Sequence, residues 1–74
     1  MNINEIAQSN AAMAIDQQDA PEYIDTGDLC HLSAFDAYYQ NTFDTVIDQG
    51  GTMEQGRDAC GLFEAIWRIL SKQN

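Results

Sequence analysis

The chain is 74 residues long and sets twelve acidic residues against three basic ones, a formal net charge of −9. A chain this short makes one domain at most and buries only about 60% of the surface its unfolded form exposes, so a second copy or a larger partner would add stability that its own core supplies sparingly. The bases are Arg57, Arg68 and Lys72, which leaves residues 1–56 with ten acids and no Lys or Arg. Such a surface has few internal salt bridges open to it; its field repels nucleic acid and anionic membranes and attracts basic grooves. Direct nucleic-acid binding and a membrane partner are therefore not expected. No apolar stretch approaches the ~20 residues that span a bilayer. The opening MNINEIAQSNAAM carries Glu5 and no positive n-region, so no signal peptide is expected and Cys30 and Cys60 are read as free thiols in a reducing compartment.

In chain order, Asn2 followed three residues later by Glu5 makes an N-terminal capping-box pattern, and Ile3, Ile6, Ala7, Met13 and Ala14 recur at helical spacing, predicting a helix over 3–17. Its apolar stripe is mostly alanine and is interrupted by Asn10, so the helix buries little and depends on packing against something else. Pro21 ends it, and residues 18–32 read as an acidic connecting segment. Across this boundary an acid recurs at every third position, Asp16, Asp19, Glu22, Asp25 and Asp28, with no base among them. In a helix, three residues rise about 4.5 Å and turn about 300°, giving a slowly winding band of charge. In a polyproline-like strand, three residues make one turn of roughly 9 Å and align all five carboxylates on one edge. Pro21 favours a mixture of the two. Either spacing is of the order of the phosphate spacing along nucleic acid, so a carboxylate array on a rigid scaffold can occupy a Lys/Arg groove built for phosphates. The other reading of the same run is a solvated acidic loop.

Ser33 with Asp36 gives a second cap, and Phe35, Tyr39, Phe43, Val46 and Ile47 share one arc, predicting a helix over 33–49 that ends at Gly50-Gly51. Asp44 and Asp48, with Gln40 and Asn41, are placed on its opposite side. Thr52 and Gln55 form a third capping box and open a helix over 53–72, whose Met53, Cys60, Phe63, Trp67 and Leu70 follow an approximate seven-residue pattern. Ala59, Leu62, Ile66 and Ile69 widen that apolar face. The short Gly50-Gly51 connection folds the second and third helices into an antiparallel hairpin, with Phe35, Tyr39 and Phe43 meeting Phe63, Ile66, Trp67 and Leu70. The expected fold is thus all-α, a small three-helix bundle forming a single domain over residues 1–74. One alanine-rich helix covers only part of what remains, which predicts self-association as a homodimer through Leu62, Ile66 and Ile69. Glu64 and Arg68 are spaced for an i to i+4 pair, and Arg68 and Lys72 suit a helix C-terminus.

Catalytic and metal chemistry find little support. Asp25-Thr26-Gly27 is the triplet of retroviral-type aspartic proteases, but Asp28 follows where that family usually has Ala or Ser, and that family sets the triplet in an all-β dimer. Cys30 and His31 are adjacent, the wrong geometry for a nucleophile and its base, which folds normally bring together from separate places. With Cys60 they lack the spacing of a zinc site. The Asp25 to Asp28 loop lacks the alternating acids and terminal Glu of an EF-hand, and no Lys-Ser or Lys-Thr follows Gly50-Gly51 to make a phosphate loop. Neither an enzyme, a cofactor nor a metal is expected.

In size, acidity, absence of motifs and Asn/Gln-rich helical character, the whole chain resembles small phage-encoded inhibitors of bacterial nucleic-acid machines, including anti-CRISPR proteins and other DNA mimics. The resemblance implies a partner with a basic nucleic-acid-binding groove, such as a CRISPR-Cas complex, met in the cytoplasm of a bacterial host. The acid pattern, not the resemblance, nominates the contact residues: Asp16, Asp19, Glu22, Asp25 and Asp28 with Asp36, Asp44 and Asp48. The alternative is a helical interaction module or dimeric regulator that works through the apolar face of residues 59–70 and uses its charge for solubility.

Overall fold

The structure, a computed structural model, describes residues 1–17 and 34–73 together with the backbone of 23–25 and 30–32. Three helices, α1 (Ile3–Asp16), α2 (Ala34–Asp48) and α3 (Met53–Gln73), pack pairwise into an all-α bundle. Between α1 and α2 the chain also pairs two three-residue strands, β1 (Tyr23–Asp25) and β2 (Cys30–Leu32), antiparallel with Ile24 opposite His31. That ladder lies inside the segment read from sequence only as a connection. Ser33, half of the second predicted cap, lies outside the described residues.

Local signals account for the helix ends. Asn2 has extended backbone angles, and its Oδ1 accepts the Glu5 N–H at 3.2 Å, satisfying one of the donors that a helix start leaves orphaned. At α3 both halves of the capping box form: Thr52 Oγ1 accepts the Gln55 N–H at 3.1 Å and Gln55 Oε1 accepts the Thr52 N–H at 2.9 Å. The end of α2 is a Schellman turn. Gly51 N–H donates to the Val46 carbonyl at 2.8 Å and Gly50 N–H to that of Ile47 at 3.0 Å, and Gly50 holds the positive φ of 89° that this turn demands. A Cβ on Gly51 would lie 2.5 Å from Val46 Cγ1 and 2.8 Å from Met1 Cε, so the second glycine is set by close approach instead.

Ring and backbone contacts give the direction of packing. As numbers rise along α2 they fall along α3: Phe35 lies edge-on to Trp67 at 4.8 Å between centroids, Tyr39 meets Phe63 at 6.0 Å, and Phe43 lies against Gly56, where a Cβ would come within 2.7 Å of the ring. The hairpin is antiparallel as expected. Met1 beside Gly51, and Asn10 beside Thr42, make α1 antiparallel to α2 and so parallel to α3.

The first helix packs better than its sequence suggests. Ala7, Ala11 and Ala14 are fully buried against Phe63, with Phe35, Tyr38, Ile66, Trp67 and Leu70 around them, and α1 makes its broadest contact with α3. Small side chains let the backbone approach those aromatic rings closely, so dispersion contacts substitute for bulk. Asn10 does not interrupt the stripe; it belongs to it. Its Nδ2 donates to Thr42 Oγ1 at 2.8 Å and to Asn41 Oδ1 at 3.2 Å, and Thr42 in turn donates to the Tyr38 carbonyl at 2.7 Å. The cost of burying an amide is met by these bonds, and they fix the axial position of α1 on α2. Met13, placed on the stripe by spacing, faces solvent instead.

The buried face of α2 is also displaced from the predicted arc. Ala34, Thr42 and Val46 are buried and Tyr38 joins the core, whereas Tyr39 and Ile47 are exposed. Thr42 escaped notice because its hydroxyl, bonded back to the preceding turn, lets it behave as an apolar residue of the interior.

Candidate functional site

Acidic side chains line the outside of α2. Asp36, Asp44 and Asp48 are all exposed, and with Gln40 they form a row at four-residue spacing. Each four-residue step turns 40° and rises 6 Å in an ideal helix, so the row climbs about 18 Å and drifts about 120° around the axis. Asp16 is exposed on the last turn of α1. Of the remaining predicted contact acids, Asp25 closes β1, its backbone opposite Cys30, while Asp19, Glu22 and Asp28 lie outside the described residues. Asp16 thus lies on a helix and Asp25 in a strand.

The positions of two of these acids run against helix electrostatics. Asp16 and Asp48 are the final residues of α1 and α2, and neither helix has a base in its last turn. A carboxylate there faces the negative end of the backbone dipole, at a cost of order a few tenths of a kcal/mol in low salt. Glu5, Asp36 and Glu54 sit in first turns, where the same dipole stabilises them, and Glu64 is bonded to Arg68 at 3.1 Å as its spacing predicted. Those acids have structural explanations. Among the described residues, Asp16 and Asp48 have none.

Beside the row, α2 and α3 flank an open cleft of about 570 Å³ lined by Tyr39, Gln40, Phe43, Asp44, Arg57 and Cys60. Gln40 and Asp44, placed by spacing on the far side of α2, are thus on its rim. Cys60 is a free, buried thiol whose Sγ donates to the Tyr39 carbonyl at 3.5 Å. Burial pushes its pKa up and the nearby Asp44 charge adds to the rise, against an opposing hydrogen bond from the Phe43 backbone. The thiol is held protonated, which makes it a poor nucleophile at neutral pH. Among the described residues no group of three or more His, Cys, Asp or Glu is placed to hold a metal ion, and no helix is long and apolar enough to cross a membrane.

The three residues expected to mediate self-association separate. Leu62 and Ile69 are exposed, at 37% and 59%, whereas Ile66 packs against the core. The cleft, and the outward acids Glu54 and Asp58 of α3, were not singled out in the sequence. The cleft joins residues from two helices, and although Asp44, Arg57 and Cys60 were each noted in the sequence, nothing there placed them together.

This is a three-helix bundle whose second helix is acidic on its outer side. The chain matches no family model, no curated protein and no solved structure.

Proposed function

We propose that the chain is a noncatalytic acidic inhibitor, of the anti-CRISPR-like or DNA-mimic kind, that docks on a basic nucleic-acid-binding surface of a bacterial defence or DNA-handling protein. Asp36, Asp44 and Asp48 on α2 supply one part of the docking surface, with Asp16 and the acids of the connecting segment extending it. The carrying observation is that Asp16 and Asp48 end helices whose dipoles oppose them, with no base in the last turn of either helix to compensate. Charge kept at a local energetic cost, on a chain whose first fifty-six residues contain no Lys or Arg, suits a cationic partner better than it suits the bundle alone. The test is a titration against the partner recovered from bacterial lysate. Affinity should fall steeply as added salt shortens the Debye length from about 10 Å toward 3 Å, nucleic acid should compete, and Asp44→Asn with Asp48→Asn should chiefly slow association. Salt-insensitive binding that survives these substitutions overturns the reading.

A second reading, favoured by the exposure of Leu62 and Ile69, is a helical protein–protein interaction module working through the outer face of α3. Ile69→Asp would then abolish binding while the α2 variants leave it unchanged.

A further inference from the structure

α3 has two unlike sides. Its core side carries Gly56, Ala59, Cys60 and Phe63, all buried. At 100° per residue the opposite side carries Asp58, Gly61, Leu62, Ala65, Ile69 and Lys72, all exposed. Two features of that outer side have no explanation among the described residues. Leu62 and Ile69 hold large apolar side chains in water. Gly61 occupies the middle of the longest helix although a Cβ there would meet nothing within 4 Å, so no close approach requires a glycine, and glycine weakens an exposed helix relative to alanine.

The charges supply the missing constraint. Along the outer side α3 carries Asp58 toward its start and Lys72 toward its end, with Arg57 at the edge near Glu54 and Asp58 and with Arg68 paired to Glu64. A uniformly basic or acidic partner would be repelled at one end. A second copy laid antiparallel is matched at both. We propose that this face pairs with the same face of a second copy about a twofold axis at Ala65. Asp58 stands seven residues before that axis and Lys72 seven after it, so each acid of one copy faces a base of the other. Gly61 stands four before and Ile69 four after, so each Ile69 enters the open space above the other copy's Gly61. Leu62, three before, lies along the aliphatic stem of Arg68, three after. Ala65, on the axis, is small enough to let the helices approach. A twofold interface needs a surface complementary to itself, and an antisymmetric charge row with a knob and a hollow equidistant from its centre meets that need. A parallel pairing would set Asp58 on Asp58 and Lys72 on Lys72.

The inference deepens the second reading above and is independent of the acidic docking surface, whose test uses α2 variants and a foreign partner. Sedimentation equilibrium of the full chain, from low to high micromolar concentration, reads it directly, with circular dichroism on every variant. The unaltered chain should form a concentration-dependent dimer. Gly61→Leu suits a helix and meets open space in a single copy, so it should keep the helical signal and lose the dimer. Asp58→Lys alone and Lys72→Asp alone should each weaken the dimer roughly tenfold, since each replaces two exposed attractive pairs by repulsive ones, and both together in one chain should restore it. A strictly monomeric chain, a dimer indifferent to Gly61→Leu, or a double reversal that fails to recover overturns the pairing. A monomer that still loses a foreign partner on Ile69→Asp would overturn it while the second reading stands.

Discussion

Replacing Thr42 by Val removes one oxygen from the centre of the bundle and little else, which makes the consequence calculable. Thr42 Oγ1 is fully buried, accepts from Asn10 Nδ2 at 2.8 Å and donates to the Tyr38 carbonyl at 2.7 Å. In Thr42→Val the Asn10 amide keeps only its 3.2 Å bond to Asn41 Oδ1. A buried donor left short of a partner costs about 1–3 kcal/mol, so about 2 kcal/mol of stability should be lost. Asn10→Ala is milder. It gives up the Thr42 bond, worth about 1 kcal/mol, with the longer, part-exposed one to Asn41, and leaves a small void, but Thr42 can still donate to Tyr38 and alanine is the better helix former by about half a kcal/mol. A net loss near 1 kcal/mol follows. The double variant strands no amide, so its loss should fall short of the sum of the singles by about 1 kcal/mol, as expected for residues in direct contact. Urea unfolding followed by circular dichroism at 222 nm, with equal slopes across the four chains, measures each term. Additive losses within ~0.3 kcal/mol would show that Asn10 and Thr42 do not interact, and the assignment of α1's axial position to this bond would fail.

Other expectations concern glycine, charge and pH. Gly56→Ala drives a Cβ to within 2.7 Å of the Phe43 ring; overpacking of about 1–3 kcal/mol should outweigh the gain in helix propensity and lower the thermal midpoint. Gly61→Ala meets nothing and should raise the midpoint of the monomer measured at low concentration, so equal effects at the two positions would contradict the packing described. Asp48→Asn removes a charge from the negative end of α2 and should stabilise the fold by a few tenths of a kcal/mol while slowing docking, two changes of opposite sign read by thermal melting and by association kinetics. Burial raises the Cys60 pKa above its ordinary 9.0, so the folded state disfavours the thiolate that the unfolded chain forms. The resulting stabilisation is complete below pH 9 and is lost as pH climbs through the folded value, and Cys60→Ala should flatten that loss in unfolding measurements between pH 8 and 10.5.

What could be read from the sequence was what acts locally. The Thr52 and Gln55 box, the Asn2 cap and the Gly50-Gly51 turn involve residues within five positions of one another, and the helix limits they imply agree with the structure to within a residue or so. Helix faces were harder because polarity of the side chain stood in for burial. Asn10 and Thr42 are polar by type yet interior by partnership, a property of two helices together that neither segment displays alone. Tyr38 and Tyr39 are identical by type, and only the crossing of α2 over α3 decides that the first joins the core. Strands of three residues are too short to carry an alternating pattern, so β1 and β2 left no readable trace. The acids were visible as composition, but their arrangement on α2, and the end positions of Asp16 and Asp48, required the helix boundaries.

The alanine face of α1 limits how this molecule can vary. Ala7, Ala11 and Ala14 are each fully enclosed, and each already carries the smallest side chain above glycine. Enlargement by even a methylene pushes into Phe63 and its neighbours at about 1–3 kcal/mol, and reduction to glycine loosens the helix by about 1 kcal/mol. A 74-residue fold holds only a few such increments in reserve. Substitutions at these three sites are therefore close to forbidden in both directions, while exposed positions such as Asp48 of α2 and Ile69 of α3 are not enclosed in this way. Divergent versions of this chain should keep small residues at 7, 11 and 14 long after their surfaces have been rewritten for different partners.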